Sequence, residues 1–176
     1  DAIATGKPVI LLLVEGRGRL VSKFVEDIPA VLLALRPGSQ GGLAVARTLA
    51  GQSSPSGLLP FTYQRSAGDI IPYDHRFASK ITQGPPGTFT DLGFRPQWPF
   101  GHGLNFEKVG CEFKDFTSTE YSLGEDISVN YRLTNSSQNQ AFKSFDVFVS
   151  DDYATRIAPR KRVLVAFDRV KLPAES

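Results

Sequence analysis

Several residue types are scarce in this sequence, and their scarcity excludes whole classes of site. The chain has 176 residues, with no methionine, one tryptophan, two histidines and a single cysteine, Cys111. A lone cysteine can form neither an internal disulfide nor a multi-cysteine metal site. Because no complete cofactor motif is present either, the sequence predicts neither a metal nor a cofactor.

The chain also lacks a strong excess of charge and a long apolar run. Its 20 basic residues nearly balance 18 acidic residues. The densest basic run, Arg160–Arg162, has no interleaved aromatics, whereas nucleic-acid binding needs a concentrated basic face. The longest apolar runs, such as Val9–Val14, are too short to span a bilayer. We therefore expect no nucleic-acid partner and no membrane partner.

Two glycine-bearing stretches imitate phosphate loops but miss the required pattern. In "EGRGRLV", Val21 stands where a dinucleotide fingerprint needs its third glycine. In "DAIATGKP", Pro8 replaces the hydroxyl that would hold magnesium. We interpret Gly6 as the left-handed cap of a helix's last turn and Pro8 as its stop. Since the chain opens on the last turn of a helix, we expect it to be a fragment.

The first third of the chain alternates between strand and helix patterns. Parallel pairing with right-handed crossovers is the usual outcome of such an order. The continuous apolar run "PVILLLV" predicts a strand buried on both faces. In the first helix, Phe24 and Val25 are predicted to point inward. The predicted elements are strand Pro8–Val14, helix Leu20–Asp27, strand Ala30–Leu35, helix Leu43–Leu49 and the extended segment Leu58–Tyr63.

The rest of the chain changes character twice. Residues 64–106 are predicted to be a long loop and linker, rich in Pro and Gly from Gly84 to Pro96. Beyond them apolar residues recur at every second position, as in Ile127, Val129 and Tyr131, which indicates an antiparallel β-sandwich. The predicted domains are therefore an α/β unit at 1–63, the linker at 64–106 and an all-β unit at 107–176.

Glu15 and Arg17 are the first candidate site residues. Glu15 ends the first predicted strand, at the carboxyl edge where parallel sheets place their ligand crevices. Arg17 lies beside it and could hold the carboxylate or a sugar hydroxyl. A purely structural Glu15–Arg17 turn is the alternative. No second carboxylate that would complete a glycosidase pair is evident.

The seam, which we define as residues 97–106 ("QWPFGHGLNF"), supplies the other two candidates. Trp98 could pack beneath both units or stack against a sugar. His102 lies between two glycines, which let the backbone turn sharply and leave the ring reachable. The alternative is a histidine that caps a linker turn. We take Glu15, Arg17, Trp98 and His102 as candidates for the rim of a substrate cleft.

Two further polar motifs carry weaker hypotheses. His75 follows Asp74, as a base beside its orienting carboxylate would, but sequence neighbours rarely face each other in a strand, and a hydrogen-bonded loop histidine is the favoured interpretation. Asn135-Ser136-Ser137 matches the sequon for N-glycosylation. Neither motif completes a catalytic arrangement.

Four stretches in order carry a more specific pattern: "TGKPVILLLVEGRGRLVSK", "IPAVLLALRPGSQGGLAVARTLAGQSSPSGLLPFTY", "WPFGHGLNF", and "FDVFVSDD" with "KRVLVAFDRVKLPAES". Together they resemble segments of the family 3 glycoside hydrolases, the β-glucosidase and β-xylosidase group. The resemblance covers essentially the whole chain. It departs at four positions. Gly18 replaces the family's proline, Leu58 its Lys or Arg, Asn105 its serine and Ala174 its glycine.

This resemblance implies both a fold and an activity. The fold would be the C-terminal part of a three-layer α/β sandwich, followed by a truncated fibronectin III-like β-sandwich. The parent would be a retaining, exo-acting β-glycosidase, most simply a β-glucosidase. Its aspartate nucleophile would lie in an N-terminal (β/α)8 barrel and its acid/base glutamate upstream of "TGKP". No catalytic residue is then expected in this chain, which would be inactive alone.

The same resemblance implies the partners. These would be a carbohydrate substrate, bound by the parent enzyme, and the barrel domain, with homodimerisation of the parent possible and a secreted or periplasmic location favoured. The alternative hypothesis is a carbohydrate-binding or domain-interaction module without hydrolase activity.

Overall fold

The computed structural model describes residues 2–68, 72–74, 95–116, 120–153 and 156–176. Within these ranges, no helix combines the length and the apolar character needed to cross a membrane. In chain order the elements are a 3-10 turn (Ile3–Thr5), strand β1 (Ile10–Leu13), a 3-10 turn (Val25–Asp27), β2 (Ala30–Leu33), helix α1 (Gly41–Leu49), β3 (Val109–Phe116), β4 (Val129–Asn135), β5 (Ala141–Val149) and β6 (Val163–Leu172).

β1 and β2 pair in parallel, with Ile10 opposite Ala30 and Leu13 opposite Leu33. This confirms the parallel arrangement that the alternating elements predict. One face of the pair packs against a small core formed by Val21, Val25 and Tyr63. The other face is open: we call Ile10, Leu12 and Val14 the outer face of β1, and Ile10 is 54% and Val14 62% exposed. The expectation of burial on both faces is therefore wrong for the described chain.

The predicted helix Leu20–Asp27 is reduced to the 3-10 turn Val25–Asp27. Val25 is buried as expected, but Phe24 is 40% exposed, so its inward direction is wrong. Pro29 disfavours helical geometry at the residue before it, and Ile28 is extended, with φ −108° and ψ 117°. Pro29 therefore accounts for the end of this turn at Asp27.

The other two helix signals are confirmed. Gly6 has φ 69° and donates its N–H to the Ile3 carbonyl, as a left-handed cap does. Helix α1 begins at Gly41, two residues before the predicted start, and ends at Leu49. Leu43 and Leu49 of α1 are exposed, like the outer face of β1.

The extended segment that ends at Tyr63 pairs antiparallel with the seam. The N–H of Tyr63 donates to the Trp98 carbonyl at 2.8 Å, and the N–H of Gln97 donates to the Tyr63 carbonyl at 2.9 Å. Further along, the N–H of Leu59 donates to the His102 carbonyl at 2.9 Å. The seam thus forms a ribbon along the segment that follows α1.

The last four strands form two antiparallel pairs, as the two-residue period predicts. β3 pairs with β4, and β5 pairs with β6. Each pair has one irregularity, between Phe113 and Asp115 in β3 and between Val147 and Phe148 in β5. The rings of Tyr131 on β4 and Phe145 on β5 lie 5.0 Å apart, which brings the two pairs into contact.

Asn135, the residue of the sequon, lies inside the structure. Its side chain is 1% exposed. The amide Nδ2 donates to the Asn139 carbonyl at 2.8 Å and to the Pro173 carbonyl at 2.6 Å. The oxygen Oδ1 accepts from the N–H and the hydroxyl of Ser137. The folded chain therefore offers no amide group to a glycan, and the sequon has a structural explanation.

Candidate functional site

Glu15 directly follows β1, at the edge where the carboxyl ends of β1 and β2 meet. Its N–H donates to the Leu35 carbonyl at 3.0 Å, so the parallel pairing continues just past both strands. Its side chain is buried rather than projecting into solvent. A buried carboxylate needs a hydrogen-bond donor, and the structure supplies one from a distant part of the sequence.

That donor is Tyr63, whose side chain is fully buried. The Tyr63 hydroxyl donates to Glu15 Oε1 at 2.8 Å and accepts the N–H of Arg19 at 3.0 Å. Burial raises the pKa of Tyr63 to about 12; the hydrogen bond and charge of Glu15 act in the same direction, and Arg19 acts against it. The phenol therefore stays protonated and ties Glu15 to the turn after β1.

Arg17 lies on this turn with an exposed side chain. Beside it, a Cβ added to Gly16 would fall 2.4 Å from Nε of Arg36, so the Arg36 guanidinium packs directly over the Gly16 backbone. Leu35, which precedes Arg36, has φ 54°, a left-handed conformation that is costly for a branched side chain. The carboxyl edge thus brings two cationic side chains close to the turn that bears Glu15, while Glu15 itself is held by Tyr63.

Trp98 is half-buried and packs against the core. Its ring lies 4.9 Å from that of Tyr63 in an edge-on arrangement, and its carbonyl accepts the Tyr63 N–H. The sequence predicts that Trp98 packs beneath both units or stacks against a sugar; its described contacts are with the core of the α/β unit. Through Tyr63, the structure connects Trp98 to Glu15.

His102 is half-buried and ends a tight turn in the seam. Its N–H donates to the Pro99 carbonyl at 3.0 Å, and Gly101 in this turn has φ 78°. On its other side, a Cβ on Gly103 would lie 2.5 Å from the Gly57 carbonyl oxygen. Glycine is therefore favoured on the two sides of His102 for different structural reasons: Gly101 has a positive φ, and Gly103 lies close to another backbone segment.

Two of the four rim candidates, Glu15 and Trp98, share a contact with Tyr63: its hydroxyl bonds Glu15, and its ring packs against Trp98. Arg17 shares a turn with Glu15, and His102 shares the seam with Trp98. His75 lies outside the described residues. In the part of the chain that the structure describes, no three His, Cys, Asp or Glu side chains are grouped so that they could hold a metal ion.

Comparison with known proteins places these features in a family. The model of the glycosyl hydrolase family 3 C-terminal domain matches residues 1–106, more than half of the chain. The chain belongs to glycosyl hydrolase family 3. The match begins with the capped turn before β1 and ends with the seam. It therefore includes all four rim candidates and Tyr63.

Relatives in family 3 extend the similarity to the whole chain. The lysosomal beta glucosidase of Dictyostelium discoideum is 34% identical over 99% of this chain. A beta-xylosidase of Formosa agariphila is 27% identical over 98% of it. Among solved structures, the beta-glucosidase from Listeria innocua in complex with isofagomine superposes over 99% of the chain, with a TM-score of 0.87 and 28% identity.

The chain spans about a quarter or less of each of these proteins. It covers 21% of the Dictyostelium protein, 24% of the Formosa protein and 25% of the Listeria chain. The similarity to family 3 therefore concerns one portion of much longer polypeptides. The strand-rich architecture with few helices matches the corresponding portion of the Listeria enzyme.

Tyr63 is the site residue that sequence reasoning missed in this family 3 chain. It ends an extended apolar segment, where a buried aromatic residue needs no functional explanation. The available signal was chemical: a buried tyrosine hydroxyl requires a polar partner, and Glu15 was the acidic residue singled out at the strand edge. The sequence does not reveal that a residue 48 positions away fulfils this requirement.

Proposed function

We propose that this chain is the C-terminal portion of a retaining, exo-acting β-glycosidase of β-glucosidase type, which releases terminal β-linked sugars. In this proposal the catalytic pair lies outside these residues, and the chain alone is inactive. The observation that carries it is the 34% identity over 99% of the chain with a protein named a beta glucosidase.

The environment of Glu15 supports placing the catalytic acids elsewhere. Retaining glycosidases use an ionised carboxylate that attacks the sugar and a second, protonated carboxyl that donates to the leaving oxygen. Glu15 is buried, and one of its oxygens already accepts the hydroxyl proton of Tyr63. It is therefore suited to fixing the turn after β1 rather than to exchanging protons with substrate.

In this proposal the four rim residues contribute to substrate binding rather than to the chemical step. Glu15 and Tyr63 fix the turn that carries Arg17, whose exposed guanidinium can donate to sugar hydroxyls. Trp98 and His102 belong to the seam, which is paired to the same core. Trp98 is only half-buried, so part of its indole is left to contact an apolar sugar surface.

We further propose that residues 1–63 belong to an α/β sandwich, that 64–106 link it to the next unit, and that 107–176 form part of a fibronectin III-like sandwich. Two antiparallel pairs with a ring contact between β4 and β5 support the last assignment. The exposed outer face of β1 supports completion of the first unit by further polypeptide, including the (β/α)8 barrel.

A direct experiment uses the 176-residue chain alone with a chromogenic β-glucoside. We expect no turnover above the background rate. The natural full-length polypeptide should hydrolyse the same substrate, and NMR of the released sugar should show the β-anomer first. Turnover by the chain alone at an enzymatic rate would contradict our placement of the catalytic pair.

Calorimetry separates the glycosidase portion from the alternative, a binding module. As one part of a cleft, the isolated chain should give no saturable heat with cello-oligosaccharides. Tight, saturable binding by the chain, combined with no hydrolysis by the full-length polypeptide, would favour the module.

The rim assignment has its own test in the full-length enzyme. Arg17→Met should raise KM with little change in kcat, because a hydroxyl contact made equally in ground and transition states affects binding alone. Arg47→Met, on the last turn of α1, is the matched control and should leave both constants unchanged. A fall in kcat at unchanged KM for Arg17→Met would contradict the rim role.

A further inference from the structure

Asn105 joins three separate segments of the chain. Its Oδ1 accepts the Ser54 hydroxyl at 2.7 Å and the N–H of Glu107 at 2.7 Å. Its Nδ2 donates to the Phe142 carbonyl on β5 at 3.0 Å. The Ser54 hydroxyl in turn accepts the N–H of Phe106 at 2.9 Å. One amide group thus connects the loop after α1, the seam and the antiparallel strands.

Arg169 on β6 makes a second connection to the same loop. Its Nη2 donates to the Ser56 hydroxyl at 3.0 Å, and its guanidinium carbon lies 4.5 Å from the centre of the Phe142 ring. We call residues 53–57 the serine loop. Two of its serines are therefore held by β5 and β6, each through a different side chain.

Apolar contacts continue this junction along the seam. The ring of Phe100 lies 6.1 Å from that of Phe148 on β5 and 4.4 Å from that of Tyr73. A Cβ on Gly101 would lie 3.1 Å from an oxygen of Asp146, also on β5. The side of β5 that bears Phe142, Asp146 and Phe148 thus lies against the seam.

We propose that Asn105 and Arg169 form a two-point latch, through which β5 and β6 hold the serine loop and the seam. The two strands, the serine loop and the seam then open as one cooperative unit. Because the seam pairs with residues 59–63, the latch also stabilises the position of Tyr63, and through its hydroxyl that of Glu15. The proposal does not depend on the glycosidase assignment.

Asn105→Asp is the sharpest test, because it retains the oxygen that Ser54 and Glu107 contact and removes the donor to β5. Hydrogen exchange in the whole 176-residue chain gives the measurement. The amides of Leu59, Tyr63 and Gly101, all bonded across the seam ribbon, should exchange about fivefold faster or more. The Ala34 amide, bonded to Leu13 outside this unit, should keep its rate.

The control applies the same substitution elsewhere. Asn130 donates its Nδ2 to Asp115 within the β3–β4 pair, so Asn130→Asp breaks that bond and places two carboxylates together without touching the junction. It should leave the three seam amides unchanged. Acceleration confined to Phe106 and Glu107, or equal acceleration of every amide including Ala34, would overturn the proposal.

Two further measurements keep the test decisive if Asn105→Asp does not fold. Arg169→Met removes only the second point of the latch and should accelerate the same seam amides by about twofold to fivefold. In the unmodified chain, the seam amides and those paired between β5 and β6 should open with protection factors that agree within about threefold. Protection factors that differ by more than about tenfold would contradict a single cooperative unit.

Discussion

The Tyr63 hydroxyl is hydrogen-bonded to the buried Glu15 and to the N–H of Arg19. In Tyr63→Phe, the Glu15 carboxylate loses a donor and the N–H of Arg19 loses an acceptor. We expect the free energy of unfolding to fall by about 1–3 kcal/mol, the cost of leaving a buried group such as the Glu15 carboxylate without its donor. Urea denaturation measures this loss.

Tyr153→Phe is the matched control, because Tyr153 is 89% exposed and its substitution should change stability by less than about 0.5 kcal/mol. Equal stabilities of the two variants would show that the Tyr63 hydroxyl contributes nothing.

The raised pKa of Tyr63 also predicts an alkaline limit to stability. The folded chain holds the phenolic proton up to about pH 12, whereas the unfolded chain releases it near 10.0. Below pH 10 this contribution is fully present; as pH rises from 10 towards 12, the unfolded state loses its proton first and becomes favoured. The free energy of unfolding should therefore fall across this window.

Comparison with Tyr63→Phe isolates this effect from the titration of other groups. Urea midpoints are measured at about pH 9 and about pH 11 for both proteins. The unmodified chain should lose more stability between these values than Tyr63→Phe does. Parallel losses would mean that Tyr63 does not titrate differently in the folded state.

Asn135 illustrates how a sequence motif can serve packing instead. Asn135→Ala should lower the free energy of unfolding by about 1–3 kcal/mol, because two carbonyls lose their donor and Ser137 loses its acceptor. Asn130→Ala, which removes one exposed hydrogen bond, is the control and should cost less than about 0.5 kcal/mol. Thermal melts of the two variants measure the loss of stability. Equal losses would mean that the buried hydrogen bonds of Asn135 contribute nothing to stability.

Residue types and local spacing indicated where polar side chains would lie, but not what they contact. The strand edge made Glu15 a candidate, and Arg17, two positions away, was its obvious neighbour. The hydrogen bond comes instead from Tyr63. Periodicity describes local geometry only, so a contact between residues 48 positions apart requires the folded chain.

At the level of elements, the seam ribbon depends on close backbone approach at Gly103. A methyl group there would lie 2.5 Å from the Gly57 carbonyl oxygen and 2.9 Å from Leu58 Cδ2. Because the backbone atom cannot rotate away, Gly103→Ala should cost about 1–3 kcal/mol and loosen the pairing between Leu59 and His102. Urea denaturation measures the cost, and the exchange rate of the Leu59 amide measures the loosening.

Gly57→Ala is the control, since a Cβ at Gly57 meets nothing within 4 Å. It should change stability by less than about 0.5 kcal/mol. A Gly103→Ala variant as stable as Gly57→Ala would mean that the ribbon adapts without cost.

Elements with a long, uniform pattern of apolar residues could be predicted from the sequence. Elements with a short pattern of mixed apolar and polar residues could not. Apolar runs located β1 and β2, and the two-residue period located β4. The segment Leu20–Asp27 has helical spacing, but only the 3-10 turn Val25–Asp27 forms there. The spacing of apolar residues alone does not show how many of these residues adopt helical geometry.

At the scale of the molecule, apolar surface is distributed unevenly. Tyr63 and Val21 are sealed in a small core, whereas the outer face of β1 and the leucines of α1 are exposed. The sequence predicted burial on both faces of β1 because a continuous apolar run is typical of such a strand. That pattern agrees with our proposal that further polypeptide covers this face in the complete enzyme.

The outer face of β1 therefore allows a prediction whose sign depends on chain length. In the 176-residue chain, replacing Ile10 and Val14 together by threonine should raise the soluble fraction and reduce light scattering, because exposed apolar surface promotes association. In the full-length enzyme the same double substitution should lower the melting temperature, because there we expect both side chains to be buried.

Leu13→Thr, on the inward face, is the control and should destabilise both forms by about 2 kcal/mol. If the double substitution leaves the full-length enzyme as stable as before, the outer face is solvent-exposed there too, and the apolar run that first predicted a doubly buried strand has some other cause.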